Sequence, residues 1–459
     1  MSDKYKINLE DLGKAFKFKE DGLTHSQGNR FKLLPYAANE KTLVSSFLGV
    51  EGAFSRIISN KELKDDFDVN NFLDNVSEKV SEYEGDNGKA VFKDIVKSMF
   101  IDDNKLVDFD IKTINYIPST NADEKIAKFL YSIFFDDELI ELVNNSYGRD
   151  VNNILCKLVL EALPELKEKK YKNEGYYCYL PFIKELFIKD FKFLIEDEEL
   201  YKNSLKRLLE FYYMFYVGQL AMKLRNFEKA DLSKPQPVYF TLNWESTSKN
   251  RTAYKFGWEL LKKDVNSLFS HAITLEMLNY HGMDKQLGYK DLYEVFQLMD
   301  ESDVESQIEE VYENYSSRLK DKKWDEFKYN DSNEGNKAFN KVKKLFYAVE
   351  YQFDKSSRTR AYDAYKNWYV KFVQDNFGKK RGPLGYNLNL DEEDIILLTK
   401  ICINTNEKLK LNSLFDEFER RGVFFDRDSK LKIVQLYEKL NLLEKKSDSG
   451  DAQYVRSVL

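Results

Sequence analysis

Residues 391–459 read DEEDIILLTKICINTNEKLKLNSLFDEFERRGVFFDRDSKLKIVQLYEKLNLLEKKSDSGDAQYVRSVL, and this stretch determines the predicted fold. It opens with four carboxylates, Asp391 to Asp394, which precede an apolar run that reaches Asn404. Negative side chains are favoured in the first turn of a helix, where free backbone N–H groups leave a partial positive charge. The pattern therefore predicts a first helix from about Asp391 to Asn404.

Two more helices with their own end signals follow. A short strand is predicted over residues 409–411, and Asn412 or Ser413 then caps a second helix that Gly422 ends. A third helix begins at a cap within Asp426–Ser429. Its predicted buried face consists of Ile433, Val434, Tyr437 and Leu440.

The chain closes with a predicted hairpin. Residues 442–446 favour a strand, residues 447–451 a turn, and residues 452–459 a returning strand. Three helices followed by a hairpin are typical of a winged-helix domain, in which the hairpin is the wing. The sequence therefore predicts a winged helix at the C-terminal end.

The rest of the chain is predicted to be a multi-helix body, so that the fold class is mainly α. Apolar residues recur there at three- and four-residue spacing, interrupted by polar and Pro-bearing segments. The segment that begins Lys379-Lys-Arg-Gly-Pro383 indicates a linker. The predicted regions are a mixed, mostly helical N-terminal region at 1–120, a helical domain at 121–378, a linker at 379–390 and the winged helix at 391–459.

Composition limits the classes of function. The chain has 459 residues, a formal net charge of −7 and 42% hydrophobic residues, which excludes a globally basic coat for nucleic acid but leaves room for a local basic patch. The three cysteines lie far apart and indicate buried thiols of a reducing compartment. No apolar run is long enough for a membrane span, so we expect a cytoplasmic protein without a membrane partner.

The exposed side of the third predicted helix and the start of the wing carry the candidate binding residues. In a winged helix these two parts most often meet DNA, the helix in the major groove and the hairpin on the backbone. The candidates for binding DNA or a partner protein are Arg427, Lys430, Lys432, Gln435, Lys439, Lys445 and Lys446.

Two interpretations of these candidates remain open. Winged helices also dock proteins, and lysines on an exposed helix face are ordinary. Asp448 and Asp451 put negative charge at the predicted tip of the wing, where it would repel a phosphate. The loops Thr24–Arg30 and Asn243–Arg251 are further docking candidates, although both also read as turns anchored by a buried aromatic residue.

No catalytic motif stands out, so the sequence predicts a protein that is not an enzyme. It contains neither a phosphate-binding loop nor a dinucleotide fingerprint, and its three histidines lack metal-ligand spacing. His271 is interpreted as a core residue rather than a ligand. No residue is therefore assigned to catalysis, to a cofactor or to a metal.

One weak pattern suggests a metal-dependent nuclease as the least favoured alternative. Asp103 and Asp110-Ile-Lys112, on a strand predicted within residues 106–117, loosely fit the arrangement of two acids and a lysine that holds Mg²⁺ and activates water. Such triplets arise often by chance in a chain that is 32% charged. A solvated strand is the simpler interpretation.

Three stretches resemble the DptG family, also called DndG. They are Arg30–Tyr36, Leu268–Asn279 and, as the most specific of the three, Glu444–Val455. The resemblance implies a subunit of a bacterial antiphage restriction system that acts on DNA lacking phosphorothioate modification. It further implies two partners, a DptF-like ATPase and a DptH-like helicase, and it carries no catalytic residue over to this chain.

The expected function is therefore that of a non-enzymatic adaptor in a restriction complex, with double-stranded DNA as a further candidate partner. The main alternative is a DNA-binding winged-helix protein that works alone. The two differ in what the surface of the third helix contacts, a protein or phosphates.

Overall fold

The computed structural model of the protein describes residues 5–35, 44, 46–64, 67–330, 335–354, 358–445 and 453–458. Over these residues the chain is mainly helical, as predicted, with a few short strands. Within this described part, every helix is too short or too polar to cross a lipid bilayer.

Helices supply most of the regular structure. Many begin at an Asp, Asn or Thr whose side chain accepts a hydrogen bond from a backbone N–H two or three residues on, as at Asp68, Asp136 and Asp300. In chain order the helices of the described residues are Leu9–Ala15 (α1), Leu48–Ile58 (α2), Val69–Glu78 (α3), Gly88–Phe100 (α4), Asn121–Phe134 (α5), Asp137–Tyr147 (α6), Ile154–Ala162 (α7), Pro181–Glu196 (α8), Glu198–Leu224 (α9), Thr252–Lys255 (α10), Trp258–Val265 (α11), Leu268–Leu278 (α12), Tyr289–Gln297 (α13), Glu301–Ser317 (α14), Lys337–Asp354 (α15), Thr359–Asn376 (α16), Glu392–Ile403 (α17), Leu411–Arg420 (α18) and Arg427–Lys439 (α19).

The strands are short and form four small sheets within the described residues. In chain order they are Lys61–Glu62 (β1), Ile101–Asp102 (β2), Lys105–Leu106 (β3), Lys167–Glu168 (β4), Thr241–Leu242 (β5), Gly378–Lys380 (β6), Tyr386–Leu390 (β7), Lys408–Lys410 (β8), Leu443–Lys445 (β9) and Gln453–Arg456 (β10). The sheets are β1-β4, β2-β3, β5-β7-β6 and β8-β10-β9. All pairings are antiparallel except that of β5 with β7, which is parallel.

Helix α9 runs through the centre of the molecule. It begins where Asp197, the last residue before it, accepts a hydrogen bond from Leu200 N at 3.0 Å. From Leu208 to Leu224 every residue is buried, as expected for a stretch that is apolar nearly all round. Helices α2, α8, α11 and α16 all pack against it.

The buried side chains form two separate cores. The larger one extends from Tyr5 to Val455 and includes most of the aromatic residues. The smaller one joins α3, α4 and α7. Its fully or largely buried members are Phe72, Leu73, Val76, Val96, Phe100, Val159, Ala162 and Leu163. The N-terminal half of the chain therefore contains a thinly packed unit beside the main body.

The C-terminal region, residues 391–458, contains α17, α18 and α19 and the sheet β8-β10-β9. Asp391 caps α17 by accepting a hydrogen bond from Asp394 N at 2.9 Å. The predicted helices of this region are confirmed, and the strands predicted on either side of residues 447–451 pair as β9 and β10. The predicted turn itself lies outside the described residues.

Three arginine–carboxylate pairs join the C-terminal region to the body. Arg207 on α9 contacts Asp394 with two hydrogen bonds of 2.5 and 2.8 Å. Arg421, the residue directly after α18, donates two hydrogen bonds of 2.8 and 2.6 Å to Asp190 on α8, and both side chains are fully buried. The third pair, Arg251 with Asp426, lies at the start of α19. These contacts fix the C-terminal region against α8 and α9.

Close backbone approach reinforces this attachment at Gly422. Its φ angle is +74°, in the left-handed region that favours glycine. A Cβ atom at this position would lie 2.3 Å from the ring of Phe215 on α9. Gly422 therefore ends α18, as predicted, and also lets the following turn contact the central helix.

Two predicted segments differ from the structure. Residues 378–390, largely predicted as a linker, contain β6 and β7, and β7 pairs both with β6 and with β5 of the body, although the division into domains stays a prediction. The strand predicted within 106–117 is wrong beyond Leu106, because Ile111–Tyr116 form a 3₁₀ helix. Asp110 starts that helix by accepting a hydrogen bond from Lys112 N at 2.8 Å.

A third difference concerns the face of α19. Leu440, predicted to be buried, lies just past the end of the helix and is exposed, and Leu436 is buried instead. Val434 is half-buried, whereas Ile433 and Tyr437 are buried as predicted. The core-facing side of α19 therefore includes Leu436 in place of Leu440.

Candidate functional site

Helix α19 is held by its first residues and by its inner face. The carboxylate of Asp426 accepts a hydrogen bond from Ser429 N at 3.1 Å and so caps the helix. Further along, the hydroxyl of Tyr437 lies 2.6 Å from the hydroxyl of Thr399 on α17. These contacts orient the opposite face of α19 toward solvent.

The predicted site residues lie along this outer face and on β9. Arg427, Gln435, Lys439 and Lys445 are exposed, whereas Lys430 and Lys432 are half-buried. The ammonium group of Lys432 donates a hydrogen bond to Gln435 Oε1 at 3.1 Å. Lys446 lies outside the described residues. The described candidates thus lie on α19 and β9, and whether they form one binding surface stays a prediction.

Carboxylates lie beside several of these cations. Lys430 pairs with Glu419 of α18 at 3.0 Å, and Lys445 pairs with Glu438 at 2.8 Å. Lys439 lies 3.9 Å from Glu392 of α17. The surface is therefore a mixture of both signs rather than a basic patch.

A groove runs beside the first half of α19, and we call it the α19 groove. It encloses about 500 Å³. Its lining consists of Tyr239, Thr252, Phe425, Asp426, Arg427, Lys430, Leu431 and Val434. Leu431 is 53% exposed, although it lies within a helix that packs well on its other side.

The apolar surface continues from the groove onto the body. Phe256 is 50% exposed, and its carbonyl oxygen accepts a hydrogen bond from Tyr239 N at 3.0 Å. The Tyr239 ring lies 6.5 Å from that of Phe256 and 5.9 Å from that of Phe424. Contiguous exposed apolar side chains of this kind mark interaction surfaces in proteins.

An ionic network beneath the groove fixes the two sides relative to each other. Besides its pair with Asp426, Arg251 donates a hydrogen bond to Glu245 Oε2 at 3.1 Å. Ser429 of α19 donates to Glu245 Oε1 at 2.8 Å. Burial alone would raise the pKa of Asp426, but the hydrogen bonds from Arg251 and from Ser429 N hold it below its usual range. These contacts link α19 to the loop before α10 on the other side of the groove.

Sequence reasoning missed most of the groove. Arg251 was part of a loop singled out as a docking candidate, but its role in holding Asp426 was not foreseen. Leu431 offered a usable signal, because it is an apolar residue out of phase with the buried face of its own helix. Tyr239 and Phe256 offered no such signal in the sequence, since only the fold brings them to α19.

All three histidines pack against aromatic rings, those of Tyr5, Tyr315 and Phe346. His271 Nδ1 lies 2.9 Å from the hydroxyl of Tyr289, and burial lowers the pKa of His271 to about 3. Burial likewise lowers the pKa of His25 to about 3 and that of His281 to about 4. His271 is thus the core residue that the sequence predicts.

The residues of the nuclease hypothesis do not form a metal site. Asp110 is engaged at the start of its 3₁₀ helix, and the ammonium group of Lys112 donates to Arg149 O at 2.7 Å. Asp103 lies in the turn between β2 and β3, with a positive φ angle. In the described part of the chain, no three Asp, Glu, His or Cys side chains are grouped so as to hold a metal ion.

The cysteines are equally unsuited to nucleophilic chemistry. Burial raises the pKa of the Cys402 thiol to about 12, and it also raises the pKa values of Cys156 and Cys178. A thiol in this state is neither a nucleophile nor a ready metal ligand.

The sequence as a whole matches no protein-family model and no curated protein. The α19 groove and its charged surroundings remain as the candidate site.

Proposed function

We propose that the chain is a non-enzymatic adaptor subunit of a bacterial, cytoplasmic restriction complex that depends on DNA phosphorothioation. In this proposal it works beside a DptF-like ATPase and a DptH-like helicase, which supply nucleotide hydrolysis and any cleavage of DNA. The chain itself holds partners together through the α19 groove.

The assignment to this system is supported by the resemblance of three stretches to the DptG family. The most specific of them, Glu444–Val455, begins in β9 and ends in β10. Leu268–Asn279 covers α12, whose residues are buried throughout.

We also propose that the C-terminal region is a winged helix. Three helices precede the pair β9 and β10, and β8 between the first two helices pairs with β10 at the register Leu409 to Val455. This is the order of elements in winged-helix domains, with α19 in the place of the recognition helix.

Protein docking by this region is favoured over DNA binding by the charges around α19. Three of its cations have a carboxylate within 4 Å, on Glu392, Glu419 and Glu438. A DNA phosphate would be repelled by those carboxylates, whereas an apolar protein segment gains from covering Leu431 and Phe256. The single observation that carries the proposal is this exposed apolar groove with locally balanced charge.

Co-purification tests the proposal. The full chain would be expressed with the ATPase-like and helicase-like proteins encoded beside it, and the tagged chain recovered. Leu431→Glu and, separately, Phe256→Glu should each reduce recovery of a partner by about tenfold or more, because each puts a charge in an apolar contact. The matched control is Leu298→Glu, since Leu298 is 88% exposed and lies on the body. Undiminished recovery with both groove variants would contradict docking at this surface.

A second candidate function, DNA binding by the chain alone, rests on one observation. Arg427 is exposed and has no ion-pair partner among the described residues, and Lys432 contacts only Gln435. If these residues meet phosphates, Arg427→Glu with Lys432→Glu should weaken DNA binding and reduce its dependence on salt. The adaptor proposal expects DNA affinity to be unchanged in this double variant and in the control Lys89→Glu with Lys97→Glu.

A further inference from the structure

A second cleft lies far along the chain from α19, between the end of α2 with β1 and the end of α7 with β4. It encloses about 560 Å³, which is within the range of small-molecule sites. Four lysines and two glutamates line it, namely Lys61, Lys64, Lys112, Lys167, Glu165 and Glu168. We call it the lysine cleft.

The four lysines come from separate parts of the chain and differ in their engagement. Lys64 and Lys167 are exposed, and their ammonium groups make no ion pair or hydrogen bond with a described residue, although Lys167 lies opposite Glu62 in the β1–β4 pairing. Lys61 pairs with Glu168 across β1 and β4. Lys112 reaches the carbonyl oxygen of Arg149 at 2.7 Å. Two cations are therefore available at the cleft, and a third is held by a carboxylate of the protein itself.

The floor of the cleft is polar and already ordered. Asn115 Oδ1 accepts hydrogen bonds from Ser55 Oγ at 2.8 Å and from Ser59 Oγ at 3.2 Å. The hydroxyl of Tyr147 lies 2.6 Å from Ser55 Oγ. Tyr116 also lines the cleft and donates to Pro164 O at 2.8 Å. Hydroxyl groups and aromatic rings held in this way suit a ligand with both polar and flat parts.

A buried arginine adds positive potential behind this floor. Arg56 donates to the carbonyl oxygens of Asn115 at 2.8 Å and of Ile117 at 2.6 Å. It forms no ion pair within the described part of the chain, and the carboxylate of Glu124 acts on it only as a more distant charge. Since the whole chain carries a net charge of −7, this local excess of cations is not a consequence of overall composition.

We propose that the lysine cleft binds a phosphate ester, with Lys64 and Lys167 as its principal cations and Glu168 as an internal competitor for Lys61. Lysine contacts phosphate as a point charge and needs no fixed geometry, which agrees with the exposed positions of these two residues. A free nucleotide and the phosphorylated end of an oligonucleotide share this chemistry. The inference is independent of partner docking at the α19 groove.

The test measures binding of three probes to the full chain at low and at high salt. The probes are ATP and one short single-stranded oligonucleotide with and without a terminal phosphate. ATP or the phosphorylated oligonucleotide should bind at low salt, and the affinity should fall as salt is added. The ratio of the affinity for ATP to the affinity for the phosphorylated oligonucleotide shows whether the cleft prefers a free nucleotide or the phosphorylated end of an oligonucleotide.

Two variants should change the affinity in opposite directions. Lys64→Gln with Lys167→Gln should weaken binding by about tenfold, because two attractive charges are lost. Glu168→Gln should strengthen it by about threefold, because Lys61 is released and one repulsive charge is removed. A merely structural role for these residues predicts no gain in affinity.

The matched control is Lys89→Gln with Lys97→Gln, which removes two exposed cations from the neighbouring helix α4. It should leave the affinity unchanged. The proposal is overturned if no probe binds at low salt, if the control weakens binding as much as the cleft variant, or if Glu168→Gln does not strengthen binding. Thermal melts of each variant verify that the loss does not come from unfolding.

Discussion

The side chain of Glu276 on α12 is fully buried. Its carboxylate is not surrounded by cationic side chains. Instead, the backbone of the loop before residue 32 wraps around it. Gly28 N and Phe31 N donate to Oε2 at 3.0 and 2.9 Å, and Asn29 N and Arg30 N donate to Oε1 at 3.2 and 3.1 Å. A negatively charged acceptor thus satisfies four backbone donors at once.

Glu276→Gln should therefore destabilise the protein strongly despite its nearly identical shape. The amide NH₂ group would face backbone N–H groups, leaving donors unpaired in the interior. We expect the free energy of unfolding to fall by about 2–3 kcal/mol, measured by urea denaturation.

The control for this change is Glu294→Gln on α13, where the side chain is exposed. It should alter stability by less than about 0.5 kcal/mol. Equal effects of the two substitutions would show that the loop does not depend on the charge of Glu276.

Glu51 on α2 predicts a dependence of stability on pH. Burial, followed by the nearby charge of Asp108, raises its pKa from 4.5 to about 8. Between these two values the unfolded chain has lost the proton that the folded protein keeps, so that stability falls as pH rises through this range. Below it, Glu51 is neutral in both states and has no effect.

Glu51→Gln should remove this dependence, because glutamine stays neutral and its oxygen can still accept the hydrogen bond from Lys206 N, which Glu51 Oε1 accepts at 3.1 Å. At pH 8 the free energy of unfolding of the variant should exceed that of the wild type by roughly 2–4 kcal/mol. The two should converge near pH 4.5. If the free energies of unfolding of the variant and the wild type changed in parallel with pH across this range, the raised pKa of Glu51 would be contradicted.

At the scale of elements, the crossing of α9 and α16 depends on one glycine. A Cβ atom on Gly218 would lie 2.8 Å from the hydroxyl of Tyr369, which donates to Met214 O at 2.7 Å. Gly218→Ala should thus cost about 1–3 kcal/mol, although alanine is the better helix former. Urea denaturation measures the loss.

A double-mutant cycle tests whether the cost of Gly218→Ala comes from the clash with the Tyr369 hydroxyl. In a Tyr369→Phe background the obstructing hydroxyl is gone, so that Gly218→Ala should cost about 1 kcal/mol less than in the wild type. If the effects of the two substitutions on the free energy of unfolding were strictly additive, the helices would relieve the clash by adjusting elsewhere.

An element can be predicted from the sequence when the residues that determine it are close together in the chain. The helices could be located from the sequence, because caps such as Asp391 and the apolar spacing are local. The pairing of Thr241 with Asn389 could not, since the two strands are far apart in the chain and each is short. The segment Tyr386–Leu390 alternates polar and apolar residues, but the preceding Gly and Pro favoured a linker.

The same reasoning applies to the candidate site. The cations of α19 were predicted from one helix, whereas Glu392 and Glu419, which lie beside them, belong to α17 and α18. The balance of charge that favours protein docking is thus a tertiary property. A single sequence does not reveal it.

At the scale of the whole molecule, the strands at 378–390 should behave as part of the core. Lys379, Lys380 and Arg381 offer three adjacent trypsin sites. Lys379 Nζ donates to Asn243 O at 2.7 Å, however, and Arg381 donates to Leu242 O at 2.8 Å and to Glu245 O at 2.9 Å. Proteases cleave segments that can leave the fold locally, and these contacts oppose such opening.

Limited trypsin digestion should therefore leave this segment intact in native buffer. Cleavage there should begin only at urea concentrations that unfold the whole protein, as followed by mass spectrometry of the fragments. Rapid release of a fragment beginning near residue 382 under native conditions would instead support an independent C-terminal domain.

The parallel pairing of β5 with β7 also affects how the protein is made. During synthesis, β5 leaves the ribosome long before β7 exists, and its backbone groups wait without their partner. Closing so long a stretch of chain is entropically costly and slows folding. The nascent chain is thus exposed to aggregation until residues 386–390 have been translated, and premature termination before that point would release a product with an open strand edge.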